Sequence, residues 1–522
     1  MVDLASLPDV IIKHIIRHAL TPKPELSLAL DLLWICHSWR QMGLALVFDH
    51  AYFIEPAEPR DTSDEARLLQ RCETNIPMIV ASNSTGCVKS LAVSLKTTDT
   101  LLRFLNTMDD EKLLGLGKHK WAGVKRLRVD VDWPSSRWFD GHRGGAEENR
   151  QPAADELARL LARTLKEHMP QIETLTVDSV RDGLASREAS GVIIGCFLPQ
   201  LSMLSSDNGA VFGGQLAANL TRIRVHMASE GANLLPGLVF GQLTQMELIN
   251  VPRAFSWSLF DRSGQADEIN FASLQSLKLV FRGRETSERR QGNQKIRFPK
   301  LQKLSVIGWY ENYSLFNAAV FPSHLRRIEL SECFGAMVEI TDTQTIQTAD
   351  RLTINITQDV EEHAFYRTTN HYFGANNQNV RYSELYLGYH QYPLRSENIS
   401  WHSLHYLHII HFVGFAQMLA LLPRCPRLRE LSISNVAFEE NAEFAVLPQN
   451  LSVQKITILS DYDRDMIGCI QECIRYLVVG LARLRSLNTN IDVFRYLDSL
   501  IKEEAEEYPH LKNLAINEGE LF

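Results

Sequence analysis

A six-residue pattern of apolar and polar positions recurs along most of the chain. It reads apolar-x-x-apolar-x-apolar, as in VKRLRV, LQKLSV and LRELSI. Fifteen segments match it: 88–93, 124–129, 172–177, 220–225, 243–248, 274–279, 301–306, 325–330, 349–354, 382–387, 404–409, 428–433, 453–458, 484–489 and 511–516. A weaker match, LSMLSS at 201–206, is a candidate for a sixteenth. The end of each unit alternates apolar and polar residues with period two, which predicts a half-buried strand.

Helical periodicity precedes several of these strands. Apolar residues at helical spacing occupy 154–169, 415–422 and 494–508, each just before one of the units. A proline follows each segment closely, where a helix must end. The pattern therefore predicts strands that alternate with helices. It assigns the chain to the α/β class, with parallel strands joined by helical connections.

The spacing and the motif together resemble the leucine-rich repeat. Many units are 22 to 27 residues apart, within the range of that repeat. The resemblance covers roughly residues 85–522, as about 15–16 irregular units. It implies a curved solenoid, a horseshoe with parallel strands on the concave face and helices on the convex face. Since no unit can bury its apolar face alone, the stacked units share one core.

The repeat also predicts which residues face outward. In each unit the third and fifth positions point away from the core, and in the first part of the array many of them are basic. Between residues 126 and 351, only Glu247 and Glu329 oppose these cations at such positions. The candidate target-binding residues are Arg126, Arg128, Arg222, Arg224, Lys278, Lys303, Arg327, Arg351, Tyr386, Tyr406 and His408. One interpretation is a solvated polar face, and the other is a binding surface for an acidic or phosphorylated protein.

Three longer segments interrupt the array. They lie near 130–153, 281–298 and 358–380, and they are rich in glycine and charge, in basic residues, and in aromatics and amides, respectively. Loops of this length on repeat proteins often contact partners. The alternative is that they are tolerated surface insertions without a role in binding.

The first fifty residues carry a different pattern. Leu7-Pro8-Asp9-Val10, then Ile15-Ile16, then Ile35-Cys36-His37-Ser38-Trp39-Arg40, resemble an F-box. With the repeats that follow, this order resembles the F-box/leucine-rich-repeat family, especially its divergent fungal members. The resemblance implies a small all-α domain over 1–55 that binds a Skp-family adaptor, and a connecting or capping segment over 56–84. The adaptor-binding residues that it implies are Leu7, Pro8, Val10, Ile11, Ile15, Leu32, Ile35, Cys36, Trp39 and Met42.

Composition and motif content limit the functions and locations that we expect for this chain. The net charge of −8 disfavours a general nucleic-acid or membrane-surface role. No apolar run is long enough to span a membrane, and Asp3 stands where a secretory signal would be basic. The eight cysteines form no CxxC pair, so we expect reduced thiols and a cytoplasmic or nuclear location. The histidines of WHSLHYLHIIHF invite a metal site, but LHYLHI is a predicted strand, so neighbouring histidines should face different ways.

These observations favour a non-enzymatic protein without cofactor or metal. The first hypothesis is the substrate receptor of a Skp/cullin/F-box-type ubiquitin ligase. In it the N-terminal helices bind the adaptor, the repeats bind a protein target, and catalysis belongs to other subunits. The alternative is a repeat scaffold whose F-box-like segment only caps the array.

Overall fold

The fold is described by a computed structural model. It describes residues 8, 10–12, 14, 44, 48–55, 72–97, 100–101, 104–105, 121–133, 154–178, 184–207, 219–227, 242–251, 268–281, 295–308, 319–332, 348–356, 380–387, 401–438, 447, 451–459, 467–490 and 494–518. The chain divides into two compact units, Met1–Ala266 (unit 1) and Asp267–Phe522 (unit 2). The hydrophobic pattern indicated no boundary at that point.

Unit 1 contains a mostly parallel sheet. Its strands are β1 (His50–Ile54), β2 (Glu73–Thr74), β3 (Ser90–Leu95), β4 (Arg126–Val131), β5 (Thr174–Asp178), β6 (Met203–Ser206), β7 (Arg222–His226) and β8 (Gln245–Val251). From β3 to β8 each strand pairs in parallel with the next one in the sequence. β1 pairs in parallel with β3 and antiparallel with β2. The described helices are α1 (Ile76–Ala81), α2 (Ala154–His168) and α3 (Leu184–Phe197).

Unit 2 contains two parallel sheets. The larger has β10 (Ser276–Phe281), β12 (Lys303–Ile307), β14 (His324–Ser331), β15 (Thr348–Ile356), β16 (Val380–Leu387), β17 (Tyr406–Gly414), β18 (Glu430–Ala437), β19 (Lys455–Ile458), β20 (Ser486–Thr489) and β21 (Ala515–Glu518), paired in that order. The smaller has β9 (Glu268–Asn270), β11 (Lys295–Arg297) and β13 (Ala319–Val320). The described helices are α4 (Phe415–Leu421), α5 (Ile467–Gly480) and α6 (Phe494–Glu504).

Each of the predicted repeat units contains a strand, and the weaker match at 201–206 contains β6. The α/β class and the parallel pairing are therefore confirmed. The central apolar residues also lie opposite one another across the strands. Leu91, Leu127 and Leu175 are directly opposed in unit 1, as are Leu277 and Leu304 in unit 2. All five are at most 2 % exposed, so the apolar positions of the pattern form the core.

Two registers differ from the repeat alignment by two residues. Leu352 lies opposite Ser383 instead of Leu385, because β15 carries a further apolar residue, Ile356, that continues its buried row. Ser383 is thereby turned inward, and its hydroxyl donates to the Ser403 carbonyl. At the other shift Leu487 lies opposite Ile516, because the short 3-10 helix Pro509–Asn513 takes up the beginning of the last predicted unit.

Helix α2 follows from an amphipathic sequence. In α2, acidic Asp155 and Glu156 occupy the first turn and Lys166 the last, which complements the helix dipole. Its buried stripe packs against α3, a helix that the sequence pattern did not reveal. Within the described part of the chain, no helix combines the length and the apolar content needed to cross a membrane.

The smaller sheet of unit 2 includes part of one predicted insertion, so that prediction was partly wrong. The basic segment 281–298 is not surface loop throughout, since it begins at the end of β10 and its last residues are β11 and the fully buried Phe298. The ring of Phe298 stacks between Phe271 and Phe321, with centroids 5.1 Å and 5.3 Å away. This aromatic ladder anchors the smaller sheet.

The other two insertions are only partly described. Asp130 and Val131 belong to β4, and Trp133 is buried, so 130–133 is part of the fold. Val380 is a buried residue of β16. Positions 134–153 and 358–379 lie outside the described residues.

The N-terminal prediction also needs a correction. Residues 50–54 of the expected all-α domain form β1, which pairs directly with the first predicted repeat strand. The carboxylate of Glu55, at the end of β1, accepts hydrogen bonds from the Thr97 and Thr100 hydroxyls, both at 3.0 Å. The sheet of unit 1 thus begins before the first match to the repeat pattern.

Candidate functional site

The candidate surface is the side of the parallel sheets opposite the apolar core. In β4 the burial alternates, with Arg126 and Arg128 exposed and the intervening Leu127 and Val129 buried. The predicted target-binding residues share this exposed or half-buried side: Arg126, Arg128, Arg222 and Arg224 in unit 1, and Lys278, Lys303, Arg327, Arg351, Tyr386, Tyr406 and His408 in unit 2. The pattern of the repeat thus assigned their orientation correctly.

In unit 1 the four arginines lie in two rows across the strands. Arg126 is opposite Thr174, and Arg222 is opposite Met203 on the strand that follows β5. Arg128 and Arg224 lie at the two ends of the next row in the same way. Since parallel strands are about 4.8 Å apart, each row separates its arginines by about 14 Å, with small or uncharged residues between them.

A row of carboxylates lies on the same side of the sheet, and two of its members, Asp130 and Asp178, directly follow the six-residue motif of their strands. Asp178 Oδ2 accepts from Arg128 Nε at 2.9 Å, and Asp130 Oδ2 accepts from Lys96 Nζ at 2.6 Å. Arg224 Nε lies 3.9 Å from Glu247 Oε2. The surface of unit 1 is therefore less basic than its third and fifth positions suggested, because Asp130 and Asp178 follow the six-residue motif and were not counted among those positions.

The pKa of Asp178 lies well above the ordinary value of an aspartate. The residue is only 8 % exposed, and burial together with the nearby Asp207 raises its pKa to about 6, against the opposing effect of Arg128. Asp207 in turn lies 3.2 Å from His226 Nε2. The row can therefore change charge in mildly acidic solution, which a solvated polar face of isolated side chains would not do.

In unit 2 the central feature is an ion pair between neighbouring strands. Arg351 donates from Nη2 to Glu384 Oε1 at 2.6 Å and from Nε to Oε2 at 3.3 Å. Thr353 also donates to Oε2, at 2.9 Å. The Glu384 side chain is 7 % exposed and that of Arg351 is 45 % exposed. The acid is thus a buried anchor that orients a surface guanidinium.

Aromatic side chains surround this pair. The Arg351 guanidinium carbon lies 5.3 Å from the ring centroid of Tyr382. Tyr386 lies 5.5 Å from Tyr406 and 5.7 Å from His408, centroid to centroid. Tyrosine, arginine and histidine can each offer both packing area and hydrogen bonds, and tyrosine and arginine are enriched at binding hot spots. We call Arg351, Tyr382, Tyr386, Tyr406 and His408 the aromatic cluster.

Burial controls protonation in the aromatic cluster. It raises the pKa of Tyr406 to about 12, with a further contribution from Tyr386, and it raises the pKa of Tyr382 and Tyr386. It lowers the pKa of His408. At neutral pH the cluster therefore holds neutral tyrosines and a neutral imidazole around one paired cation.

The histidines of the WHSLHYLHIIHF segment separate as the strand prediction requires. His408 joins the aromatic cluster, whereas His405 is buried and stacks on Tyr382 at 5.8 Å. His402 is exposed. Among the described residues, no three histidine, cysteine or acidic side chains are grouped so that they could hold a metal ion.

A groove of about 640 Å³ lies in unit 2, between α5 and the 3-10 helix Pro509–Asn513. Its lining includes Arg475, Tyr476, Tyr508 and His510. Arg475 is engaged by Glu504 at 2.6 Å, and His510 Nε2 donates to the Val478 carbonyl at 2.9 Å. The described lining holds no serine, threonine or cysteine.

Three of the predicted adaptor-binding residues are described. Val10 is 78 % exposed and Ile11 is 46 % exposed, although both are large and apolar, and Pro8 is exposed as well. The adjacent Ile12 is 1 % exposed. The remaining predicted residues lie outside the described part of the chain: Leu7, Ile15, Leu32, Ile35, Cys36, Trp39 and Met42.

Comparison with known proteins adds no further identification. No protein-family model matches the sequence, and the curated proteins give no match. The motifs, the exposed apolar residues and the sheet surface therefore carry the functional assignment.

Proposed function

We propose that the chain is the substrate-recognition subunit of a Skp/cullin/F-box-type ubiquitin ligase. Its N-terminal helices bind a Skp-family adaptor, and its strand repeats form a leucine-rich-repeat solenoid that binds a protein target in the cytoplasm or nucleus. Ubiquitin transfer belongs to the other subunits, so this chain supplies binding without catalysis, cofactor or metal.

The observation that carries the adaptor role is the exposure of Val10 and Ile11. Val10 is the last residue of the LPDV segment that resembles the F-box, and Ile11 follows it directly; both expose apolar surface beside the buried Ile12. Exposed apolar side chains on a helical turn suit docking to a partner protein.

The parallel pairing supports the solenoid. Strands of successive repeats pair in sequence order within each unit, and their central apolar residues are opposed, as at Leu407 and Leu431. Each strand contacts its sequence neighbours, which is the arrangement that stacked repeats require.

Co-purification with the adaptor tests the proposal. The variant Val10→Glu/Ile11→Glu should lose most of the adaptor retained by the wild-type chain, because charged side chains cannot replace an apolar contact. The matched control is Leu160→Glu, which replaces an exposed apolar residue (47 %) on α2 and should retain the adaptor. Failure of the wild-type chain to retain any Skp-family adaptor would contradict the proposal.

One observation favours the alternative scaffold function. Phe48 is 1 % exposed and lies two residues before β1, which pairs with β3. The end of the F-box-like segment is therefore packed into the fold of unit 1, as a capping role requires. The adaptor experiment separates the two functions, since a cap alone would leave binding of the adaptor absent in wild type and variant alike.

A further inference from the structure

Three cations lie side by side on the larger sheet of unit 2. Lys303 on β12 is directly opposite Arg327 on β14, and Arg327 is directly opposite Arg351 on β15. At a strand spacing of about 4.8 Å, the row spans about 10 Å. We call these three residues the cation row. Like charges in directly opposed positions destabilise a sheet, so the row is electrostatically unfavourable in the free chain.

Acidic neighbours neutralise the positive charge of the cation row only in part. Arg327 Nη2 lies 3.3 Å from Glu329 Oε2, and Arg351 is held by Glu384. Lys303 makes no ion pair within the described part of the chain, and Arg327 Nε is buried without a hydrogen-bond partner there. Among the described residues, three cations thus face two carboxylates, and the buried Arg327 Nε has no acceptor.

The cation row ends at aromatic side chains. Arg351 is directly opposite Tyr382 on β16, and Tyr386 and Tyr406 lie on the same side of the sheet. From Lys303 to Tyr382 the strand spacing gives about 14 Å. A ligand that follows the row therefore passes from basic to aromatic contacts.

We propose that the cation row and the aromatic cluster together bind an extended acidic segment of the target protein. In an extended peptide, side chains two residues apart lie about 6.8 Å apart, so two acidic side chains fit over the three cations. A side chain two residues further lies about 13.6 Å from the first acid, at the position of Tyr382. The geometry selects acid-x-acid-x-aromatic. This proposal rests on the proposed function and specifies which side chains the target segment would carry.

Fluorescence anisotropy with the full-length chain tests the proposal. The probe is a fluorescein-labelled peptide in which Gly-Glu-Ser-Glu-Ser-Phe-Gly supplies the pattern. We expect Lys303→Gln and Arg327→Gln each to weaken binding about tenfold, the effect of losing one charged hydrogen bond. Lys455→Gln is the matched control, because Lys455 lies on the same side of the sheet but pairs with Glu430 at 3.7 Å and is outside the row. It should change the affinity less than about twofold.

Changes in the peptide test the spacing. Moving the two glutamates next to each other, or replacing both with glutamine, should weaken binding about tenfold in the wild-type chain and much less in Arg327→Gln. Equal effects of Arg327→Gln and Lys455→Gln would overturn the proposal. So would binding of a phosphoserine peptide when the glutamate peptide does not bind, or the absence of binding to both. Because no adaptor is present, these failures are distinct from loss of adaptor binding.

Discussion

Arg351 and Glu384 lie on neighbouring parallel strands and join through two hydrogen bonds, although they are not directly opposed. Tyr382 is opposite Arg351, and Glu384 is opposite Thr353, so the ion pair runs diagonally. The two-residue register shift between β15 and β16 creates this geometry. It leaves a buried carboxylate that is paired with one surface guanidinium.

Removing that guanidinium should destabilise the chain. Arg351→Met leaves Glu384 buried without its cation, which costs about 3 kcal/mol, whereas Arg351→Met/Glu384→Leu should recover most of this loss. Urea unfolding of the three chains measures the free energies. The control Lys455→Met removes a pair whose side chains are 46 % and 43 % exposed, and should cost at most about 1 kcal/mol. A loss no larger for Arg351→Met than for the control would contradict the dependence of Glu384 on Arg351.

The stability contributed by Asp178 should fall as pH rises from about 4 to 6. Its pKa is about 6 in the folded chain, against an ordinary value of 3.8, so in this range the folded chain holds a proton that the unfolded chain releases. Asp178→Asn is neutral at every pH. The variant should therefore gain stability relative to wild type between pH 4 and pH 7, by at most about 3 kcal/mol for two pKa units. Urea midpoints at both pH values measure the gain, and a constant difference would refute it.

Two histidines should make the folded chain less stable in acid: His408 in β17 and His405, which directly precedes this strand. Burial lowers the pKa of His405, with help from the charge of Arg429, and burial lowers the pKa of His408. The unfolded chain then takes up protons first, so stability is lost as pH falls below about 6.5. NMR titration of the imidazole protons should give both pKa values below 6.5. His408→Asn should lose less stability than wild type between pH 7 and pH 5, and an equal loss would argue against the role of burial.

Gly123 should not tolerate a side chain. A Cβ there would lie 2.8 Å from the carbonyl oxygens of Gly86 and Val88, both of which are backbone atoms. Gly123→Ala should therefore destabilise the chain by about 1–3 kcal/mol. Gly86→Ala is the matched control, because a Cβ at Gly86 meets no atom within 4 Å. Thermal unfolding compares the two, and equal midpoints would show that the backbone at Gly123 can shift.

Some features outside the predicted units had signals that the six-residue motif did not include. The buried Phe271, Phe298 and Phe321 each precede a repeat strand by a few residues, in the segments INFASL, IRFPKL and VFPSHL. A second periodicity of this kind would have indicated the smaller sheet of unit 2. The helix α3 was harder to recognise, because LASREASGVIIGCF mixes small, polar and β-branched residues without a clear apolar stripe.

The sequence by itself determined the strands of the repeat units, their parallel order and the residues of these strands that face the core. These depend on a local period of two and on a repeat that places the same side chain opposite its equivalent in the next strand. Only the tertiary structure decided which charges meet. Arg128 and Asp178 are fifty residues apart, and Arg351 reaches Glu384 through a register shift of two residues. Because ion pairs depend on distances of a few ångströms between different strands, the pattern within one strand could not specify them.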